Sequence, residues 1–391
     1  MIRYLSAGES HGRGLIAIIE GIPAGLNIRR ADIDRDLARR QKGYGRGARM
    51  QIEKDKVTIL SGVRHGRALG SPISLWVRNR DWVNWKRAMT PEPVSKYQGR
   101  VTRPRPGHVD LAGWLKYSSP DIRDVLERGS ARETVARVAL AGLAKLFLAR
   151  LGIRVVSYVV EIGPVAAKGS LNRGEDPLSR FELAEGSEVR TFDPAAEKKM
   201  KAEIDKAKEK GDSLGGVFEL VALGVPPGLG SHIQWDKRLD GRLAQALMSI
   251  PAIKGVEIGL GFEASRRPGS KVHDEICYQA ARAPWPFYRP SNNAGGLEGG
   301  VSNGEPLVIR AAMKPISTLR LPLGSVDIET KEPFLAHVER ADVCAVPAAS
   351  VVGEAMLALE LAVAASEKFG GDSIIEVERN YQGYLASLSE S

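Results

Sequence analysis

The sequence predicts an α+β fold with a duplicated β-α-β unit at its core. The first observation behind this prediction is a repeated turn. Gly-Ile-Pro-Ala-Gly-Leu at 21–26 follows one predicted strand, and Gly-Val-Pro-Pro-Gly-Leu at 224–229 follows another. Each turn is followed by apolar residues at helical spacing, at 33–40 and 239–248. The same order of elements therefore occurs twice.

The second observation is a parallel between two later helices. A helix that begins at Ser130 precedes a predicted strand at 153–162, and a helix near Ser350 precedes a predicted strand at 374–377. Together the two parallels predict one domain over 1–391, with repeats at about 1–165 and 214–380. The charged residues of 165–213 predict a helical insert between the repeats.

The remaining elements follow from local patterns. Short runs rich in β-branched residues predict strands at 15–19, 57–60, 73–77, 153–162, 216–223, within 251–261 and at 307–313. Apolar residues at helical spacing and capping residues predict helices at 33–40, from Ser130 to Leu148, and at 193–210, 239–248 and 347–364. The polar stretch 81–97 is typical of a surface loop.

Composition narrows the class of protein. Only two cysteines occur in 391 residues, no signal peptide is recognisable, and no apolar run of about 18 residues is apparent. These features predict a cytoplasmic protein. The net charge of +9, from 56 Lys and Arg against 47 Asp and Glu, predicts an anionic partner. Nucleic acid, an acidic membrane and a small polyanion all remain open at this point.

Two histidines lie in glycine-containing loops. His11 precedes the first predicted strand, and His108 follows Gly107 in a loop that also carries Arg103 and Arg105. Loop residues carried by a rigid scaffold are often functional, and an imidazole can exchange a proton near neutral pH. The alternative is a solvent-facing imidazole in a tight turn. The arginines make that alternative weaker for His108 than for His11.

Arginines and hydroxyls mark further candidate anion sites. The basic loop 41–49 suits phosphate or carboxylate, although it could also be only a solvated loop. Ser130 and Glu133 form a capping-box pattern beside Arg128 and Arg132, which favours an anion at the helix N-terminus, a core helix, or both. The Gly-rich loop 291–304 and the group Lys314, Ser317 and Thr318 suit close approach to a phosphate or a flavin. Asp342 could be a base held by Arg340.

Five separate motifs resemble those of the chorismate synthase family, in the family's order. They are Gly-Glu-Ser-His at 8–11, Arg-Pro-Gly-His at 105–108, Glu-Arg-Gly-Ser-Ala-Arg at 127–132, Lys-Pro-Ile-Ser-Thr at 314–318 and Arg-x-Asp at 340–342. The resemblance covers residues 3 to about 380. Ala341 departs from the residue usual in the last motif, which affects only local packing beside Asp342.

The resemblance implies a function and a set of site residues. It implies the 1,4 anti elimination of phosphate from 5-enolpyruvylshikimate 3-phosphate to give chorismate, with reduced FMN (FMNH2) as cofactor and no net redox change. By motif, the substrate would contact Ser10, Arg40, Arg46, Arg49, Arg105 and Arg132. The flavin would contact Arg128, Gly129, Ser130, Pro251, Ala252, Gly299, Lys314, Pro315, Ile316, Ser317, Thr318 and Arg340.

The resemblance also implies catalytic roles and an architecture. His11 would assist the departing phosphate, His108 would manage protonation of the reduced flavin, and Asp342 would act with the flavin N5 in removing the C6 hydrogen. The implied fold is a β-α-β sandwich, and the implied assembly is a homotetramer. We expect an external flavin reductant and an association with NADP. We expect no metal, and neither nucleic acid nor a membrane as a partner.

Two alternatives belong to other classes. A nucleic-acid-binding protein could use the basic loop, but its arginines would not need to be scattered among histidine-bearing loops. An FMN-dependent reductase could use the same anion sites with net hydride transfer. An anaerobic assay distinguishes the two flavin enzymes, because only the reductase oxidises its flavin stoichiometrically.

Overall fold

The computed structural model describes residues 1–47, 52–95, 99–169, 176–282, 285–339 and 342–389. Its strands are β1 (Arg3–Ala7), β2 (Gly14–Glu20), β3 (Val57–Ile59), β4 (Val63–Arg64), β5 (Arg67–Ala68), β6 (Ile73–Arg78), β7 (Arg154–Ile162), β8 (Val165–Ala166), β9 (Gly216–Leu223), β10 (Ile253–Ile258), β11 (Cys277–Tyr278), β12 (Phe287–Tyr288), β13 (Leu297–Glu298), β14 (Val301–Ser302), β15 (Leu307–Met313), β16 (Gly324–Val326) and β17 (Pro333–Leu335).

The α-helices among these residues differ greatly in length. They are α1 (Arg30–Gln41), α2 (Trp82–Trp85), α3 (Asp110–Tyr117), α4 (Ile122–Arg128), α5 (Thr134–Arg150), α6 (Pro177–Gly186), α7 (Pro194–Glu209), α8 (Leu239–Met248), α9 (Val346–Phe369) and α10 (Ile374–Ser389). The predicted surface loop 81–97 thus begins with one helical turn, and its residues 96–98 lie outside the described ranges.

Two antiparallel sheets enclose the long helices. The first sheet has the strand order β1-β2-β6-β3, and the second has the order β10-β15-β9-β7-β8. Helix α5 packs on β2 and β6 of the first sheet, α9 packs on β7 and β9 of the second, and the two helices pack on each other. The result is the predicted sandwich of sheet, helices and sheet.

Helix α9 lies at the centre of this sandwich. By length and composition it could cross a membrane, but 94% of its most apolar window is buried inside the protein. A helix that is apolar all round is buried on all sides, in a protein core as well as in a membrane. The packing against α1, α5, α8 and two strands identifies α9 as a core helix.

The strand predicted at 374–377 is wrong, because these residues begin helix α10. The backbone N–H of Ser373 donates to Glu376 Oε2 (2.9 Å), and the backbone N–H of Glu376 donates to Ser373 Oγ (3.3 Å). This reciprocal pair is a capping box, which favours a helix over a strand. One of the two parallels behind the predicted duplication is therefore lost, and the duplication stays a prediction.

Glu354 of α9 carries a negative charge in the middle of the helical layer. Its carboxylate accepts two hydrogen bonds from Arg39 (both 2.9 Å), one from Lys145 (2.6 Å) and one from Ser157 (2.9 Å). Burial alone would raise the pKa of Glu354, but the charges of Arg39 and Lys145 outweigh it and hold that pKa well below 4.5. These buried contacts of Glu354 thus join α9 to α1, α5 and β7.

We expect Glu354→Ala to lower the free energy of unfolding by about 3–5 kcal/mol, because it leaves buried cations without their main counter-ion. Urea denaturation followed by circular dichroism measures the change. Glu378→Ala is the matched control: this partly exposed partner of Arg150 lies at the surface, and its loss should cost about 1 kcal/mol or less. A loss for Glu354→Ala no larger than that of the control would contradict the prediction.

The same carboxylate predicts a pH dependence. Because the pKa of Glu354 is lower in the folded than in the unfolded chain, its stabilisation is complete above about pH 4.5 and is lost as the pH falls below that value. Glu354→Gln should therefore lose less stability than the wild type between pH 5 and pH 3.

Candidate active site

The loop between β1 and β2 is held by one asparagine. Asn79 Nδ2 donates to the backbone carbonyls of Glu9 (3.1 Å), Ser10 (3.2 Å) and Gly12 (2.8 Å). Arg132 Nε in turn donates to Asn79 Oδ1 (2.9 Å). Asn79, the residue directly after β6, therefore fixes the shape of the loop that carries His11.

The imidazole of His11 has a defined orientation. Its Nδ1 lies 2.8 Å from Glu127 Oε1, and its backbone N–H donates to Glu127 Oε2 (2.8 Å). The ring stacks on Trp85 with 3.9 Å between centroids, and only 8% of the residue is exposed. Arg123 donates to the same carboxylate oxygen at 3.2 Å. A carboxylate on Nδ1 therefore fixes the orientation of the ring.

Two arginines lie beside this loop in a buried cluster of charges. Arg40 and Arg132 are 5% and 4% exposed and share the carboxylate of Asp55, at 3.6 Å and 2.7 Å respectively. Burial lowers the pKa of Arg40 to about 10, with Arg132 adding to the effect and Asp55 opposing it. Arg40 Nη1 has no hydrogen-bond partner among the described residues. A buried donor in this state suits an anionic ligand.

His108 belongs to a second cluster with its own carboxylate. Its Nδ1 lies 2.5 Å from Asp110 Oδ1, and Arg105 Nε donates to Asp110 Oδ2 (2.8 Å). Arg105 Nη1 also donates to Thr318 Oγ1 (2.9 Å). Burial would raise the pKa of Asp110, but the hydrogen bonds from His108 and Arg105 hold it well below its usual range. Asp110 is thus an anion that orients both residues.

Glu339 and Gly129 show that the two histidine clusters adjoin. Burial alone would raise the pKa of Glu339, but the hydrogen bond from His337 and the charges of Arg105 and His11 lower it to about 2. Glu339 therefore lies within the electrostatic reach of both clusters. A Cβ built on Gly129 would lie 3.3 Å from His108 Cε1, and the next residue, Ser130, donates from Oγ to Ser10 Oγ (3.1 Å).

Residues 42–47, the described part of the basic loop, form a third part of the site, which we call the basic arm. Arg46 Nη1 lies 3.2 Å from Asp342 Oδ2, and the backbone N–H of Gly47 donates to Asp342 Oδ1 (2.6 Å). The charges of Arg46 and Asp342 both act on the pKa of Arg40, so the arm adjoins the His11 cluster. Arg49, Arg340 and Ala341 lie outside the described residues.

Several of the predicted flavin contacts meet at the end of β15. Lys314 Nζ donates to the carbonyl of Gly107, and the backbone N–H of Lys314 donates to the carbonyl of Ala252 (2.9 Å). Thr318 joins them through Arg105, and Ser213 Oγ donates to the carbonyl of Ile316 (2.7 Å). This group thus lies against the His108 loop. Pro251, Pro315 and Ser317 are chain neighbours of these residues.

Two predicted flavin contacts are placed differently. The guanidinium of Arg128 donates to the carbonyls of Ser6 and Gly8 (both 3.0 Å), which ties it to β1 and the His11 loop. Gly299 lies in the tight turn between β13 and β14, and a Cβ built there would have no described atom within 4 Å.

Comparison with known proteins decides the family. A sequence model described as chorismate synthase matches residues 2–365. The chain belongs to the chorismate synthase family. A curated chorismate synthase of Geobacter sulfurreducens is 60% identical, with 98% of each chain covered, and that of Trichlorobacter lovleyi is 60% identical over the whole of both chains. A solved structure titled "Crystal Structure of Chorismate Synthase" superposes with a TM-score of 0.81 at 48% identity and covers 100% of this chain and 99% of that one.

The comparisons confirm the predicted chorismate synthase fold and activity. A chorismate synthase is a lyase of aromatic amino acid biosynthesis, so the class of enzyme predicted from the sequence is also confirmed. The nucleic-acid and reductase alternatives lose their support. The roles of individual residues are a separate matter, since family membership does not assign them.

The structure of this chorismate synthase contains site residues that were not predicted from the sequence. The carboxylates of Glu127, Asp110 and Glu339 and the side chains of Trp85 and Asn79 complete the two clusters. Asp110 follows His108 by two residues, so its spacing was a usable signal. The others come from distant parts of the chain, and no local pattern indicates that they meet at the two clusters.

Proposed function

We propose that this chorismate synthase removes phosphate and the C6 hydrogen from 5-enolpyruvylshikimate 3-phosphate in a 1,4 anti elimination. The observation that carries the proposal is a single region with two oriented histidines and a buried arginine cluster. Each histidine has a carboxylate at Nδ1, at 2.8 Å and 2.5 Å, which is the arrangement of a proton-transferring imidazole. A polyanionic substrate explains why cations surround them.

The arginines would bind the substrate's phosphate and its two carboxylates. We assign this role to Ser10, Arg40, Arg46, Arg49, Arg105 and Arg132. Asp55 neutralises part of the charge of Arg40 and Arg132, which lowers the cost of burying the two guanidinium groups side by side and leaves positive charge for an anionic substrate. Guanidinium groups suit this task, because their planar donor pairs match carboxylate and phosphate.

His11 would protonate the leaving phosphate. Glu127 holds Nδ1 of the ring and thereby fixes the orientation of the imidazole. Neutralising the leaving group is useful because negative charge develops on it in the transition state. Asp342, in contrast, would accept the C6 proton, while Arg46 and the N–H of Gly47 keep its carboxylate oriented.

The residues around β15 fit reduced FMN. The cation of Lys314 and the hydroxyls of Ser317 and Thr318 lie beside the His108 loop, and such donors suit a phosphate and the polar edge of a flavin. Arg128, Gly129, Ser130, Pro251, Pro315, Ile316, Gly299 and Arg340 complete the proposed flavin contacts. When bound, reduced FMN would supply electron density to the substrate and regain it. His108 would hold a proton beside it.

The remaining proposals rest on family membership alone. We propose that the enzyme is a cytoplasmic homotetramer. We also propose that an external reductant supplies the reduced flavin, and that NADP is associated with this supply.

An anaerobic assay with reduced FMN and 5-enolpyruvylshikimate 3-phosphate tests the function. We expect chorismate and phosphate to form in equal amounts while the flavin spectrum remains that of the reduced form. Flavin oxidation in proportion to product would instead support a net reductase. Absence of chorismate with intact protein and reduced flavin would contradict the proposal.

A further inference from the structure

Residues 188–205 of the charged insert lie against the basic arm. Helix α7 begins after Asp193, whose side chain accepts from the backbone N–H groups of Ala195 (2.9 Å) and Ala196 (3.1 Å). It is anchored in the main core by Met200 and Ile204, neither of which is exposed. A helix with a fixed N-terminus and a buried face is a rigid support. Its partly exposed residues therefore offer the basic arm fixed points of attachment.

Tyr44 is the residue of the arm that this support holds. Its hydroxyl donates to the carboxylate of Asp205 on α7 (2.9 and 3.0 Å to the two oxygens), and its backbone N–H donates to the carbonyl of Glu188 (2.8 Å). Lys201 Nζ lies 4.6 Å from the centre of the Tyr44 ring. The hydrogen bond to Asp205 raises the pKa of Tyr44, so the phenol keeps the proton that it donates.

Gly45 is enclosed between α7 and the segment that carries Asp342. It has a φ of +82°, and a Cβ built on it would lie 2.8 Å from Ile204 Cγ2. Its carbonyl accepts from the backbone N–H of Val343 (2.8 Å). The basic arm therefore lies between helix α7 on one side and the chain beside Asp342 on the other.

The arm would be costly to order without this support. Gly43, Gly45 and Gly47 alternate along it, and glycine loses more conformational freedom on ordering than other residues. If the basic arm were disordered before the substrate bound, the free energy of binding would have to offset the conformational entropy lost on ordering it. A clamp that orders the arm in advance would preserve substrate affinity.

We propose that residues 188–205 of the insert are a clamp that pre-orders the basic arm for substrate binding, with Tyr44 and Asp205 as its positioning pair. The proposal rests on the proposed function in one respect, namely that Arg46 binds the substrate. The clamp itself is a structural property of the chain. Tyr44 and Asp205 act through Arg46 and Asp342, so we describe them as positioning residues.

The test uses Tyr44→Phe, Asp205→Ala and the double variant in the full-length protein. Limited trypsin digestion, with mass spectrometry of new N-termini at Gly43 and Gly47, measures release of the arm. Because one hydrogen bond is removed, we expect each single variant to be cleaved there roughly three- to tenfold faster. The KM for the substrate should rise by a similar factor, with kcat changing less than about twofold.

The double variant separates a positioning pair from two independent effects. Its cleavage rate and KM should match those of either single variant, because the same contact is lost in all three. Glu203→Gln on the same helix is the control, since Glu203 pairs with Lys206 within α7 and should change neither quantity. Additive effects of the two single changes would overturn the proposal.

Failure of the clamp and failure of the proposed function give different results. Cleavage at wild-type rates in all variants overturns the clamp, and so does faster cleavage with an unchanged KM. If the wild type itself makes no chorismate, the proposed function fails. In that case the cleavage rates alone still decide whether Tyr44 and Asp205 hold the arm.

Discussion

Replacing His11 with Ala is expected to lower kcat for chorismate formation by roughly 10²–10⁴-fold, the range for losing a general acid. The physical reason is that the phosphate would leave without a proton while its negative charge develops. The arginines that bind the substrate remain, so KM should change much less than kcat. Anaerobic steady-state kinetics with reduced FMN measures both constants.

Two further variants make the His11 prediction specific. His232→Ala is the control, because His232 is an exposed histidine far along the chain from both clusters, and its loss should leave kcat unchanged. Glu127→Gln keeps an acceptor for the His11 ring but removes the charge, so we expect a smaller loss of about tenfold. Turnover near that of the wild type in His11→Ala would exclude the acid role.

Local signals explain which elements the sequence could predict. The strand at 153–162 and the helix at 193–210 are observed as Arg154–Ile162 and Pro194–Glu209, because a β-branched run and an Asp-Pro start are strong signals. The pattern Ser-x-x-Glu occurs at both Ser130 and Ser373, yet the reciprocal cap is observed only at Ser373. At the other site, the Ser130 hydroxyl accepts a hydrogen bond from the backbone N–H of Arg132, while the carboxylate of Glu133 pairs with Arg137. The ion pair with Arg137 therefore draws Glu133 away from the capping position that Glu376 occupies at Ser373.

The site was predictable only where its residues belong to motifs. His11 and His108 were found because each lies in a distinctive loop, whereas Glu127 meets His11 from 116 residues away. Such a contact depends on how α4 and the β1–β2 loop pack together, and packing leaves no periodic trace in a sequence. The same holds for Tyr44 and Asp205, which are 161 residues apart.

Asp342→Asn is the second change expected to have a large effect, a loss of roughly 10²–10⁴ in kcat, if Asp342 accepts the C6 proton. An amide has nearly the same shape as a carboxylate, and its oxygen can still accept the 2.6 Å hydrogen bond from the N–H of Gly47. The arm should therefore stay in place in this variant. Single-turnover measurements with reduced FMN would report the lost proton transfer directly.

Asp342→Ala separates the chemical role of Asp342 from its role as an anchor. Both variants lose the charge that pairs with Arg46, but only Asp342→Ala also loses the acceptor for the N–H of Gly47, so its KM should rise above that of Asp342→Asn while kcat is equally low. Asp236→Asn, at an exposed aspartate in a turn, is the control and should behave as the wild type. If Asp342→Asn were fully active and only Asp342→Ala were impaired, the carboxylate would be an anchor for the basic arm, and the base would have to be another group.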